Sequence, residues 1–186
     1  MKKLFLVISL ASISIIACKK DDDTPDNPTP PANESEIITT VKLLLTDSNG
    51  NQVSATWRDL DGTGPQQPII GNLNLKKQQY YMGKVLLLDE TKMPVDTISN
   101  EVADEAEAHQ FFYSFTGTAS SNTTLTRIGV DANNLPVGMN FSLITADTSN
   151  GSLTIVLKHY DGIAKSTDPT IGETDVQVTF PLSILP

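Results

Sequence analysis

The sequence predicts an all-β domain folded as a two-sheet sandwich. Two observations carry this prediction. Short runs of alternating apolar and polar residues recur through residues 36–186, bounded by turn residues about every ten positions, which is the spacing of sandwich strands. Only one stretch, Ser99 to Ala108, has the Ala- and Glu-rich composition of a helix. Residues 36–186 suit one domain with a sizeable core.

The elements follow in order. Ile37, Thr39, Val41, Leu43 and Leu45 share one face of a first strand. Asn49-Gly50 then supplies the positive φ angles of a tight hairpin into a strand from Gln52 to Trp57, with Trp57 in the core. Tyr80 to Leu88 is a strongly apolar strand, and the Ser99 to Ala108 segment is a short helix with Ser99 or Asn100 as its cap. Phe111, Tyr113 and Phe115 alternate on the next strand, and Leu125 to Val130 and Met139 to Thr145 follow. Asn150-Gly151 reads as a second hairpin leading into Leu153, Ile155 and Leu157. Val176, Val178, Phe180, Leu182 and Ile184 alternate to the end of the chain, with Pro181 on the opposite face predicting an edge strand or a bulge. About eight or nine strands of this kind read as an immunoglobulin-like sandwich, with a barrel as the main alternative.

The chemistry concentrates in the helical insertion. Glu101, Glu105 and His109 are spaced i, i+4, i+8, so a helix sets all three on one face, whereas an extended chain aligns Glu105, Glu107 and His109. Either geometry sets two carboxylates beside an imidazole, a donor set that suits zinc or copper. The only other histidine, His159, closes the run Leu153, Ile155, Leu157, while His109 opens Phe111, Tyr113. If those strands run antiparallel, both imidazoles emerge at one end of the sandwich with Asp161 just beyond. Two readings stay open: a site for a divalent metal built from His109, Glu105, Glu101 and His159, with Glu107 and Asp161 peripheral, or a solvated acidic face.

Asp59-Leu60-Asp61-Gly62 resembles the start of a calcium loop, with Asp59 and Asp61 as its carboxylates. Ile70 stands at the twelfth position, where such a loop has Glu, so a turn is the preferred reading. Gly172-Glu173-Thr174-Asp175 likewise reads as a turn, with Glu173 and Asp175 as peripheral ligands.

The first residues set an address. Lys2 and Lys3 precede an apolar run from Leu4 to Ile16, too short to span a bilayer well, and Ala17-Cys18 closes it. This resembles a bacterial lipobox, with Ile15 as its one departure, and implies removal of residues 1–17 and lipidation of Cys18. Two or three acyl chains hold stably, at roughly 0.8 kcal/mol per buried methylene. Residues 18–35, rich in Pro and acids, are expected to be a disordered tether. Cys18 is the only cysteine, so the domain has neither disulfides nor thiolate ligands. Loss of Lys2 and Lys3 leaves 11 of the 13 basic residues against 22 acidic ones, which disfavours nucleic acid and anionic lipid as partners.

The acidic tether, DLDGTGP, EADEAEAHQFFY, LKHYDG and GETDVQVTFPL, in that order, resemble a family of small Bacteroidota lipoproteins often encoded beside TonB-dependent outer-membrane receptors. The acids directly behind Cys18 resemble the signal that sends such lipoproteins to the cell surface. The resemblance implies an outer-membrane accessory that captures or hands over a scarce nutrient, such as a metal ion, to a receptor. The expected function is therefore non-enzymatic binding of a metal or small nutrient. The alternative is a structural or adhesive module, for which exposed Tyr80, Tyr160 or Trp57 would form a glycan platform. An enzyme is not expected, because two histidines without a nucleophile elbow give no set of nucleophile, base and orienting acid.

Overall fold

Alternation of inward and outward side chains builds ten strands in two sheets. The computed structural model describes residues 36–186, so the apolar leader, Cys18 and the tether over 18–35 lie outside the described residues. In chain order the elements are β1 (Thr40–Asp47), β2 (Gln52–Arg58), β3 (Ile69–Ile70), β4 (Leu73–Lys76), β5 (Tyr80–Leu88), α1 (Ile98–Asp104) and β6 (His109–Phe115). A 3-10 turn (Gly117–Ser121) precedes β7 (Thr123–Val130), β8 (Pro136–Thr145), β9 (Ser149–His159) and β10 (Glu173–Leu185).

One sheet has the order β3-β2-β1-β5-β8-β7 and the other β4-β10-β9-β6. All pairings are antiparallel except β4 with β10. The two orders do not join, so the protein is a sandwich and not a closed barrel. Val41, Leu43, Leu45, Val85, Leu87, Phe141 and Leu143 face Phe111, Leu153, Ile155, Leu157, Val178, Phe180 and Leu182 across the core. Each such side chain contributes on the order of 1.5–3 kcal/mol by leaving water.

Four local expectations are corrected. The strand count is ten rather than eight or nine, because β3 and β4 are two and four residues long and too short to show an alternation. Ile37 precedes β1 and is 61% exposed, whereas Thr39, Val41, Leu43 and Leu45 are buried as expected. Asn150-Gly151 is not a hairpin: β8 and β9 belong to different sheets, and the dipeptide lies inside β9. Glycine is needed there because a Cβ on Gly151 would collide with the Thr116 carbonyl. β10 is an interior strand rather than an edge, but β4 pairs only from Leu182 onward, so Pro181 faces no strand on that side.

The helix is shorter than the acidic segment that predicts it. Ile98 and Val102, one turn apart, bury against the core. Thr97 is the N-cap, not Ser99 or Asn100, and its side chain makes no capping bond. Ser99 is instead buried, and its Oγ accepts the Leu87 N–H of β5 at 2.6 Å, which docks α1 on the sheet. No helix among the described residues is long and apolar enough to cross a membrane.

Candidate metal centre

The β6–β9 ladder brings the two histidines together. Phe111, Tyr113 and Phe115 pair with Leu157, Ile155 and Leu153, and the same register makes His109 and His159 direct cross-strand partners. Their rings stack with centroids 4.6 Å apart and an interplanar angle of 19°. A slip of one residue in either strand would turn that strand's imidazole to the outer face, so the burial of the Phe111 and Leu157 side chains fixes the site as well as the core.

α1 ends at Asp104, and the Glu105 N–H bonds to the Glu101 carbonyl in the last helical turn. Residues 105–108 form a turn, and His109 already belongs to β6. The single helical face through Glu101, Glu105 and His109 is therefore not formed, nor is the extended face through Glu105, Glu107 and His109. The turn instead folds Glu105 back onto the histidines. Ligand atoms of Glu105, His109 and His159 all lie within 4.8 Å of one another. Glu101 stays on the exposed side of α1 and is not part of this group.

His109 is 1% exposed. Its Nδ1–H donates to the Glu105 carbonyl at 3.1 Å, a partner that can only accept. This fixes the neutral tautomer with a lone pair on Nε2, the arrangement in which a histidine binds a metal with an oriented ring. Burial lowers the His109 pKa to about 4, the Glu105 carbonyl opposes that, and the charges of His159 and Lys165 add to it. The ring is thus neutral at pH 7.

Opposite that lone pair stands Asp175, its Oδ2 3.7 Å from His109 Nε2 and its side chain 10% exposed. A bulge in β10 between Thr174 and Val176 breaks the pairing with β9 at this residue and turns its side chain toward His109. Asp175 Oδ2 has no hydrogen-bond partner. Two acceptors therefore face each other in a buried space, an arrangement that a proton or a cation between them would relieve. Burial raises the Asp175 pKa to about 6 and Glu173 adds to the rise, while His159 and Lys158 oppose it.

A second orphan, Glu36 Oε2, lies at the same end. Burial raises the Glu36 pKa to about 7, reinforced by the charges of Asp175, Glu101 and Glu105. The 3.7 Å gap is inside the roughly 4.2 Å reach of two metal–ligand bonds of about 2.1 Å. The 4.8 Å group needs its widest pair to close by some tenths of an ångström, which exposed Glu105 can do by rotation.

Glu107 and Asp161, the peripheral candidates, line an open cavity of about 440 Å³ together with Asp104, Glu105 and His159. Asp59 and Asp61 are not in the histidine group. Asp59 Oδ1 accepts the Gly62 N–H at 3.0 Å and Asp61 Oδ2 the Gln66 N–H at 3.1 Å, the bonding of a turn. Sequence reasoning missed Glu36, whose neighbours have the composition of the tether, and gave Asp175 only a peripheral role.

Comparison with protein-family models, with curated proteins and with solved structures gives no match.

Proposed function

We propose that the sandwich binds one divalent transition-metal ion, zinc or copper, through His109, His159 and Glu105, with Asp175 completing the donor set. The observation that carries this reading is the unpartnered Asp175 carboxylate oxygen 3.7 Å from the His109 Nε2 lone pair. A merely solvated acidic face would leave neither group buried without a partner. Imidazole and carboxylate donors suit zinc and copper, and the ion would give the Asp175 oxygen and the His109 Nε2 lone pair a shared partner. The domain's role is binding rather than catalysis.

We further propose that the ion is presented from a lipid anchor on Cys18 at the cell surface of the outer membrane, for a TonB-dependent receptor. The leader ending at Ala17-Cys18, the acidic stretch behind it and the family resemblance support this. An adhesive role finds less support: Tyr160 is buried, Trp57 packs against the core, and Tyr80 alone of the three rings is exposed.

Titration calorimetry of the metal-free protein with zinc and with copper at pH 7.5 tests the first proposal. One ion per chain is expected, and uptake should be lost in His109→Ala. Absence of uptake, or uptake unchanged by that substitution, overturns it.

A further inference from the structure

The cavity beside the histidines has a chemistry of its own. It measures about 440 Å³, and its wall carries the carboxylates of Asp104, Glu105, Glu107 and Asp161 together with His159. No lysine or arginine lines it. Lys165, which reaches the wall residue Ala106 from behind, is committed elsewhere: its Nζ donates to Asp131 Oδ2 at 2.8 Å and to the Ala106 carbonyl at 2.7 Å. That lysine is 2% exposed, so it offers no free donor to a ligand in the cavity.

An acidic wall alone would be an ordinary surface. Here it opens onto His159, which stacks on His109, behind which Asp175 holds a carboxylate oxygen that is nine-tenths buried, unpartnered and directed at the imidazole. The orphan oxygen points to a cation independently of the outer carboxylates. Glu105 and His159 belong both to the cavity wall and to the inner group with His109, so the acidic wall adjoins the buried donors directly.

We propose that this cavity is an entry vestibule for a cationic, hydrated metal ion, and that the protein takes its ligand in that form and rejects anionic chelates. The inference rests on the metal-centre reading for what lies at the end of the path, and it adds the class of species admitted. A six-water shell occupies about 180 Å³ at roughly 30 Å³ per water, so the cavity accommodates a hydrated ion before any inner ligand is exchanged. Four exposed carboxylates on one wall concentrate such a cation and repel a chelate of net negative charge, an effect that salt screens. Glu107 and Asp161 are the specific residues of this outer step, since neither belongs to the inner group of Glu105, His109 and His159.

Hexaamminecobalt(III) is the test probe, because its ligands do not exchange and it can only bind as a complete cation. Binding is followed by chemical-shift changes in the protein's amide spectrum, with hexacyanocobaltate(III) as the anionic counterpart. The cationic probe should perturb residues 104–108 and 159–161 in the wild type. Its dissociation constant should rise with salt, and by at least about tenfold in the Glu107→Gln, Asp161→Asn double variant. The anionic probe should leave the spectrum unchanged.

Equal binding of both probes, or no effect of the double substitution, overturns the vestibule. Zinc uptake by His109→Ala, measured in parallel, reports on the inner centre alone, so the failure of one proposal is distinct from the failure of the other.

Discussion

His109 and His159 face each other across the β6–β9 ladder with their rings stacked 4.6 Å apart, one opening its strand and the other closing its own. An ion held by both requires both, so their substitutions should not add. His109→Ala and His159→Ala are each expected to abolish tight zinc uptake, and the double variant to bind no more weakly than either single one. Glu105→Gln should weaken binding by about tenfold, or roughly 1.4 kcal/mol, since its exposed side chain holds only one side of the ion. Calorimetry on the four variants gives the coupling directly; independent, additive losses would separate the two imidazoles.

The Asp175 orphan gives a pH signature. A carboxyl whose folded pKa is raised, here from 3.8 to about 6, is tolerated when protonated and destabilises the fold as pH rises through that window. Glu36, raised from 4.5 to about 7, acts in the same direction, whereas His109, lowered from 6.5 to about 4, costs stability as pH falls through its own window. Asp175→Asn should therefore raise the melting temperature of the metal-free protein at pH 8, by about 2–4 °C for each kcal/mol relieved, and leave it unchanged at pH 3.5. The same variant should bind zinc more weakly. In the wild type the rise in melting temperature caused by zinc should be larger at pH 8 than at pH 5, because bound carboxylates must be deprotonated. Thermal scans at the three pH values, with and without zinc, decide these points.

The histidine pair was legible because strand phase needs little information. Phe111, Tyr113 and Phe115 on one run and Leu153, Ile155 and Leu157 on the other assign each imidazole to a face, and one antiparallel pairing then sets both at the same end. Asp175 was less so, since counting back by twos from Val176 reaches Thr174, and the bulge that shifts the phase leaves no mark in the alternation. Glu36 carries no local signal at all; its burial arises from chain segments distant in sequence. The acidic segment misled through helix periodicity, because the turn after Asp104 depends on where β6 must begin.

Asn150-Gly151 misled for a related reason, and it yields a third prediction. Gly50 and Gly151 sit in similar dipeptides but are glycines for different physical reasons. Gly50 has φ +84° with open space where a Cβ would lie, so Gly50→Ala should cost only the positive-φ penalty of roughly 1–2 kcal/mol. At Gly151 a Cβ meets the backbone carbonyl of Thr116 and the side chain of Ala119, and neither gives way without moving β9 or the 3-10 turn. Gly151→Ala should lower the melting temperature more than Gly50→Ala; the reverse order would mean that the turn at Gly50 is the stricter constraint.

Lys165 and Asp131 form the one ion pair among the described residues with both side chains at 2% exposure or less, at 2.8 Å. Burial pushes the Asp131 carboxyl up, but the Lys165 ammonium and the Leu135 and Asn133 amides more than offset this and hold it below its usual value. Lys165 also donates to the Ala106 carbonyl and so pins the turn that carries Glu105 beside the histidines. Lys165→Met removes the cation and leaves a buried carboxylate, a change that typically costs about 3–5 kcal/mol. Adding Asp131→Asn removes the stranded charge, and part of the stability should return. The Ala106 anchor does not return with it, so zinc affinity should stay below that of the wild type in both variants. Melting temperature and zinc affinity measured side by side therefore separate the two roles of Lys165: recovery of both together would show that the lysine acts on the fold alone, and recovery of stability without affinity that it positions the Glu105 turn.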